Sequence, residues 1–201
     1  MARVLLTAFE PFGSFAENSS LLCLRAVEQN PPPGAELVTR LYPVDFDIVR
    51  GRLFEDLAEG FAAALHLGQA GRNPNIELEA FGINAGGYPG EDATDFRVLE
   101  PQGPAAYRSQ LPLPQWAAML RAEGFPVEVS FHAGTYLCNA TSYWSQHWAA
   151  TTGQPLRSLF VHLPLTVEQA DANGYALPLE MMAEAVRRIA CLLAGESSVA
   201  G

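Results

Sequence analysis

Strand-type and helix-type runs alternate along the whole of this 201-residue chain, and that alternation restricts the fold more than any other feature. "RVLLTAF" (Arg3–Phe9) is a buried-type strand, and Asn18, Ser19 and Ser20 offer N-caps for a helix through "LLCLRAVEQ". "NPPPG" stops that helix, and "ELVTRLYPV" is a second strand. Asp45 or Asp47 can cap a helix running through "IVRGRLFEDLAEGFAAA". A short strand "LHLGQAG" and a longer one, "IELEAFGIN", follow. A helix opens at Pro114 and ends at Gly124; then come strand "PVEVSF", a helix containing Cys138, strand "SLFVHLPL" and a terminal helix "LEMMAEAVRRIACLLAG" with frayed residues after it. The pattern predicts a single α/β domain over residues 1–201, a three-layer α/β/α sandwich around a mostly parallel, mixed sheet. Ligands of such sheets bind at the carboxyl ends of the strands.

Residues 85–113 break the rhythm. They are rich in Gly and Pro without a clear period, and a loop this long in a compact domain is functional or disordered.

Charge narrows the function classes. The formal net charge of −10 argues against a nucleic-acid partner and against an anionic membrane surface. No apolar stretch approaches the roughly 20 residues of a membrane span, and "MARVLLTAFEPFG" reads as a first strand and not as a secretory leader. Three separated cysteines form neither a disulfide framework nor a zinc site, which points to a reducing, cytoplasmic compartment. Charged residues make up only 17% of the chain, which suggests that other subunits cover part of the surface.

Cys138 carries the chemistry worth weighing. With Thr135 as N-cap it falls in the first turn of its helix, where the dipole and unpaired N–H groups favour a thiolate and can hold an oxyanion. An inert buried thiol is the commoner fate of a free cysteine, and Cys23 and Cys191 read that way. A thiol nucleophile needs a base. His162 lies at the carboxyl rim beside Phe160 on one strand face. His147 is over two turns beyond Cys138, His132 precedes the cap, and His66 starts a short strand away from the rim. Glu77 and Glu79 share a strand face, with Glu79 next to Phe81 and Ile83. A solvated acidic face would explain both; a buried Glu79 would need a partner.

Four ordered segments carry a resemblance: "LLTAFEPFGSFAENSS", "GQAGRNPNIELEAFGIN", "GPAAYRSQLPL" with "HAGTYLCNATSYW", and "FVHLPLTVEQA". Together they resemble the type I pyroglutamyl peptidases, a family of cysteine exopeptidases, over nearly the whole chain. The resemblance implies a Glu79–Cys138–His162 triad acting on N-terminal pyroglutamyl peptides, without metal or organic cofactor. It implies that Phe9 and Phe12 are aromatic pocket walls and that Gln69 positions the substrate or the loop. Asn18 matches a loop asparagine, Tyr136 and Leu137 line the pocket, and the assembly is a dimer or tetramer. The chain departs from the family at Ala8 and Ser14, where Gly is usual, and at Ser19–Ser20–Leu21, where Pro–Ser–Trp is usual. After Asn84 the family runs to an arginine linked to the oxyanion. Here that segment is shorter and has no arginine at the matching place; Arg97 is the one nearby, and backbone N–H groups at Cys138 remain. A weakened pyroglutamyl-peptide-binding module, or an amidase for another small lactam or amide, are the competing readings.

Overall fold

The computed structural model describes residues 1–88, 96–170 and 175–195. The expected fraying after Gly195 lies outside the described residues, as does part of the irregular segment after Asn84.

Strand β1 (Ala2–Phe9) leads through helix α1 (Ser19–Gln29) to β2 (Ala35–Tyr42), and α2 (Phe46–Ala58) leads to β3 (Ala63–Gln69). Next come β4 (Ile76–Glu79), the short β5 (Phe81–Ile83) and β6 (Ala106–Arg108), α3 (Leu113–Ala122) and β7 (Val127–Ser130). Helix α4 (Leu137–Thr152) precedes β8 (Arg157–Leu163), and β9 (Leu165–Thr166), β10 (Ala176–Leu177) and α5 (Leu179–Ala194) complete the order. The main sheet runs β2-β1-β3-β8-β4-β7. Its first four strands are parallel, β4 runs against β8, and β7 is parallel to β4. The mixed α/β sandwich expected from the alternation is the fold observed.

Two apolar layers hold it. Val4, Leu6, Leu65, Leu67, Ile76, Leu78 and Val161 face α1, α3 and α5. Leu5, Phe9, Ala64 and Phe160 face α2 and α4. This odd–even division is the two-residue period of a strand buried on both faces.

Three local expectations are corrected. The α2 helix ends at Ala58, not at Ala64, because Gly60 takes φ +84° and turns the chain. Ala63 and Ala64 are fully buried in β3 between β1 and β8, where small side chains fit under packed helices. The strand expected over "IELEAFGIN" breaks at Ala80: β4 stays in the main sheet, while β5 leaves it to pair with β6. Glu79 therefore does not share a continuous face with Phe81 and Ile83. Thr135 is not the cap of α4. Tyr136 occupies that position in an extended conformation and makes no side-chain cap hydrogen bond. Asn18 caps α1 and Asp45 caps α2 as expected.

Candidate active site

The site begins with one row of the sheet. Gly68 on β3 pairs with His162 on β8, and His162 pairs with Glu77 on β4. Because β4 is antiparallel to β8, Glu79 lies one pleat lower than Glu77, beneath the imidazole. It is only 2% exposed, whereas Glu77 is half-buried. From there the His162 Nδ1–H donates to Glu79 Oε1 at 2.7 Å. The other carboxylate oxygen, Oε2, is buried without a protein partner. The Cys138 sulfur lies over Gly68, the β3 residue paired with His162, and acts electrostatically on the same ring. Burial by itself would lower the His162 pKa; the Cys138 sulfur and the Glu79 carboxylate outweigh it and raise it to about 10. The ring is thus held as an imidazolium at neutral pH. Glu77 moves up from the ordinary carboxylate range, chiefly through burial.

Helix α4 positions the sulfur. Cys138 is its second residue, half-buried in the first turn, where N–H groups have no intrahelical acceptor. The helix is seated from two sides. Asn139 accepts the Ile83 N–H at 2.8 Å and donates to the Ile83 and Ala85 carbonyls at 2.9 and 2.8 Å. Gly82 lies so close that a Cβ there would sit 2.7 Å from the Tyr143 backbone. From the sheet, His66 bonds Thr7 Oγ1 at 2.8 Å and Ser145 Oγ at 3.1 Å, and Ser158 donates to Ser145 at 2.8 Å. His66 is mid-strand, not at a strand start as expected, and burial lowers its pKa to about 3, so it stays neutral. His147 bonds the Tyr107 hydroxyl, and His132 is exposed; neither joins the site.

Gly68 forms the floor beneath the nucleophile. A Cβ there would lie 2.9 Å from Cys138 Sγ and 2.7 Å from the Phe160 ring. A glycine inside a strand marks such a close approach, the signal that identifies this residue from sequence. Gly68→Ala is expected to lower kcat about 100-fold, because a displacement near 1 Å of a reacting group costs that much. Steady-state kinetics beside a thermal melt checks this; unchanged kcat would mean that the sulfur relocates freely.

The other predicted residues fall in different settings. Phe9 is buried in the core, edge-on to Tyr42 at 6.3 Å, and Leu137 is buried as well. Phe12 is half-exposed on the 10–18 loop and packs on Phe15 at 6.4 Å. Asn18 is buried with its amide engaged in the loop: it accepts from Ser20 and donates to the Glu10 carbonyl. Gln69 Oε1 accepts the Ser19 N–H at the start of α1 at 2.8 Å and a Gln169 Nε2–H at 3.1 Å. Tyr136 is half-exposed against Phe46 and Tyr88, each 5.5 Å away. The Arg97 guanidinium lies over Phe46 at 4.7 Å and Tyr88 at 5.6 Å, bound to this aromatic wall. Asn139 and Ser145 leave no trace in the sequence, since a lone amide or hydroxyl has no periodic signature, and His66, set aside as a base, serves instead to seat the helix.

Chemically, a thiol beside an imidazolium, with a buried carboxylate behind it and free N–H groups at a helix start, suits acyl transfer. Among the described residues, Glu77, Glu79 and His162 each offer a donor atom within 4.8 Å of the others.

Comparison with known proteins identifies the family. The family model described as pyroglutamyl peptidase matches residues 2–195. The pyrrolidone-carboxylate peptidase of Streptomyces coelicolor is 35% identical over 94% of this chain and 90% of its own. That of Chromobacterium violaceum is 37% identical over 90% and 86%. The crystal structure of pyrrolidone carboxyl peptidase from Fervidobacterium islandicum, 33% identical, superposes with a TM-score of 0.88 over 94% of this chain and 97% of that one. Pyroglutamyl peptidase I from Bacillus amyloliquefaciens, 27% identical, gives 0.89 over 97% and 96%.

Proposed function

The chain belongs to the pyroglutamyl peptidase family, and from that premise we propose that it hydrolyses the amide bond after an amino-terminal pyroglutamate by way of a thioester on Cys138. The observation that carries this reading is the constellation Glu79–His162–Cys138, with the carboxylate on Nδ1 at 2.7 Å and the sulfur over Gly68, which pairs with His162 in the sheet.

The Cys138 thiolate attacks the carbonyl carbon that joins pyroglutamate to the next residue. The developing oxyanion is met by N–H groups of the first turn of α4, which have no intrahelical acceptor. The His162 imidazolium protonates the departing amine, and the truncated peptide leaves. The ring, now neutral, takes a proton from water as the water attacks the thioester, and keeps it as the C–S bond breaks and free pyroglutamate leaves, which restores thiolate and imidazolium. Glu79 keeps Nδ1 protonated and the ring in line throughout. No step requires a metal or an organic cofactor. The pyroglutamyl ring is flat and uncharged, which suits a pocket bounded by Phe12 on the 10–18 loop and the Tyr136 ring.

The substrates are peptides with a blocked amino terminus. A dimer or tetramer is supported by the low charged fraction and by exposed apolar side chains such as Phe131, 71% exposed, and a reducing, cytoplasmic setting by the free state of Cys23, Cys138 and Cys191. Among the described residues no helix is long and apolar enough to cross a membrane.

The test is release of a fluorescent amine from its pyroglutamyl amide, with the matching prolyl amide as control. The expected result is hydrolysis of the first at least about 100-fold faster, because a site built to bind the lactam C=O is left unpaired by proline. No release by folded protein would overturn the reading, and equal rates would indicate an amidase of broader substrate.

A further inference from the structure

The strand that carries His162 is followed at once by a polar junction with no part in the chemistry just described. After β8 the chain passes Pro164 into β9 and turns: the Gln169 and Ala170 N–H groups donate to the Thr166 carbonyl at 3.0 and 3.1 Å. The Gln169 side chain closes this turn, its Oε1 accepting the Thr166 N–H at 2.9 Å. Its Nε2 reaches away from the turn. One bond goes to the Glu17 carbonyl at 2.9 Å, 152 residues earlier in the chain, and the other to Gln69 Oε1 at 3.1 Å. Gln69 Oε1 in turn accepts the Ser19 N–H. One primary amide therefore joins the segment after His162, the end of β3, and the last residues of the 10–18 loop.

That loop has few other ties to the body of the protein. Its residues from Pro11 to Glu17 are exposed or half-exposed, and Gly13 takes φ +63° at its tip. Asn18 closes its base onto Glu10, an attachment within the loop itself. The Gln169 bond to Glu17 is of another kind, since it fixes the loop against the turn that follows β8 and β9, downstream of the general acid. Asparagine is one methylene too short to span the junction in this geometry. Glutamate would set a carboxylate against two carbonyl-type oxygens in place of two donors.

We propose that Gln169 is a positioning residue for the reaction: it fixes the substrate-facing 10–18 loop to the turn downstream of the His162 strand, so that the pyroglutamyl ring is held in register with the proton donor. This rests on the reading of that loop as a wall of the substrate pocket. Loss of the amide frees the loop without touching the Glu79–His162–Cys138 line. Its signature is thus a rise in KM with kcat nearly kept, the pattern of lost binding that is uniform between ground and transition states.

The experiment compares Gln169→Ala and Gln169→Glu with the unmutated chain in kcat and KM for a pyroglutamyl amide, in alkylation of Cys138 by iodoacetamide, and in amide hydrogen exchange over residues 10–19. In Gln169→Ala, KM is expected to rise about 10-fold, the effect of one to two neutral hydrogen bonds, with kcat within about 3-fold and alkylation unchanged. Gln169→Glu should raise KM further, and exchange in the loop should quicken in both variants while the rest of the chain keeps its protection. Unchanged KM, or a loss confined to kcat, overturns the proposal. If the unmutated chain does not cleave the amide at all, the pocket reading fails separately. The exchange measurement then still decides whether Gln169 holds the loop, with unchanged exchange over residues 10–19 counting against it.

Discussion

Cys138→Ser is expected to reduce kcat/KM for a pyroglutamyl amide by about 10⁴-fold or more, with thermal stability nearly unchanged. The two outcomes separate because the swap is almost isosteric, yet a serine hydroxyl does not ionise beside an imidazolium as a thiol does. His162 is raised to about 10 in part by the sulfur next to it, so the ring and the thiol act as one unit. Substitution of the sulfur removes both the nucleophile and the neighbour that helps hold the proton on His162. The side chain is half-buried in the first turn of α4, and its helix is held by Asn139 and by the His66–Ser145–Ser158 chain, none of which the substitution touches. Retention of more than about 1% of the activity in a variant with an unaltered melt would move the nucleophile elsewhere, since triad members removed singly leave far less than that.

The second large effect is expected at the imidazole, and its comparison with Glu79 is the informative part. His162→Ala removes the proton donor and the base together and should cost about 10³-fold or more. Glu79→Gln should cost less, about 10- to 100-fold, when the amide oxygen takes over acceptance of the Nδ1 proton and preserves the tautomer. The amide cannot stabilise positive charge, so the His162 pKa falls. The sign follows: the reaction needs the imidazolium to protonate the leaving amine, activity is lost as pH rises through that pKa, and the alkaline limb of the Glu79→Gln profile moves toward neutral pH. A kcat/KM profile from pH 6 to 11 measures it. Identical profiles and rates for Glu79→Gln and the unmutated chain would remove Glu79 from the mechanism.

How much of this the sequence disclosed depends on the range of the cause. The layer order was legible because strand and helix periods are local, and Cys138 stood out because a helix start is local too. What failed were decisions taken against local preference. "FAAA" favours a helix on propensity, yet Gly60 turns the chain and the alanines fill a sheet position that needs small side chains. "IELEAFGIN" keeps strand character throughout, and nothing within it marks the bend at Ala80 where two sheets part. The cap of α4 moved from Thr135 to Tyr136, a residue without capping chemistry, leaving N–H groups of the first turn without a side-chain acceptor. Glu79 and His162 are 83 residues apart, so their bond is a property of strand order, which periodicity does not encode. The same holds for His66, Asn139 and Gln169, whose amides and rings find partners across the fold.

The reversed direction of β4 also bears on how such a site can change by descent. Ile76 and Leu78 point into the α1–α3–α5 layer, and Glu77 and Glu79 into the layer of His162. Insertion of one residue within this short strand exchanges the two faces, burying carboxylates among aliphatic side chains and bringing an aliphatic side chain under the ring. Cys138 and His162 lie on other elements and would keep their places. Insertions in the turns on either side, by contrast, lengthen the chain without changing which face the carboxylates occupy. The orienting acid is thus the member of the triad that a single length change can delete or restore, while nucleophile and proton donor are inherited together through the connection from α4 to β8.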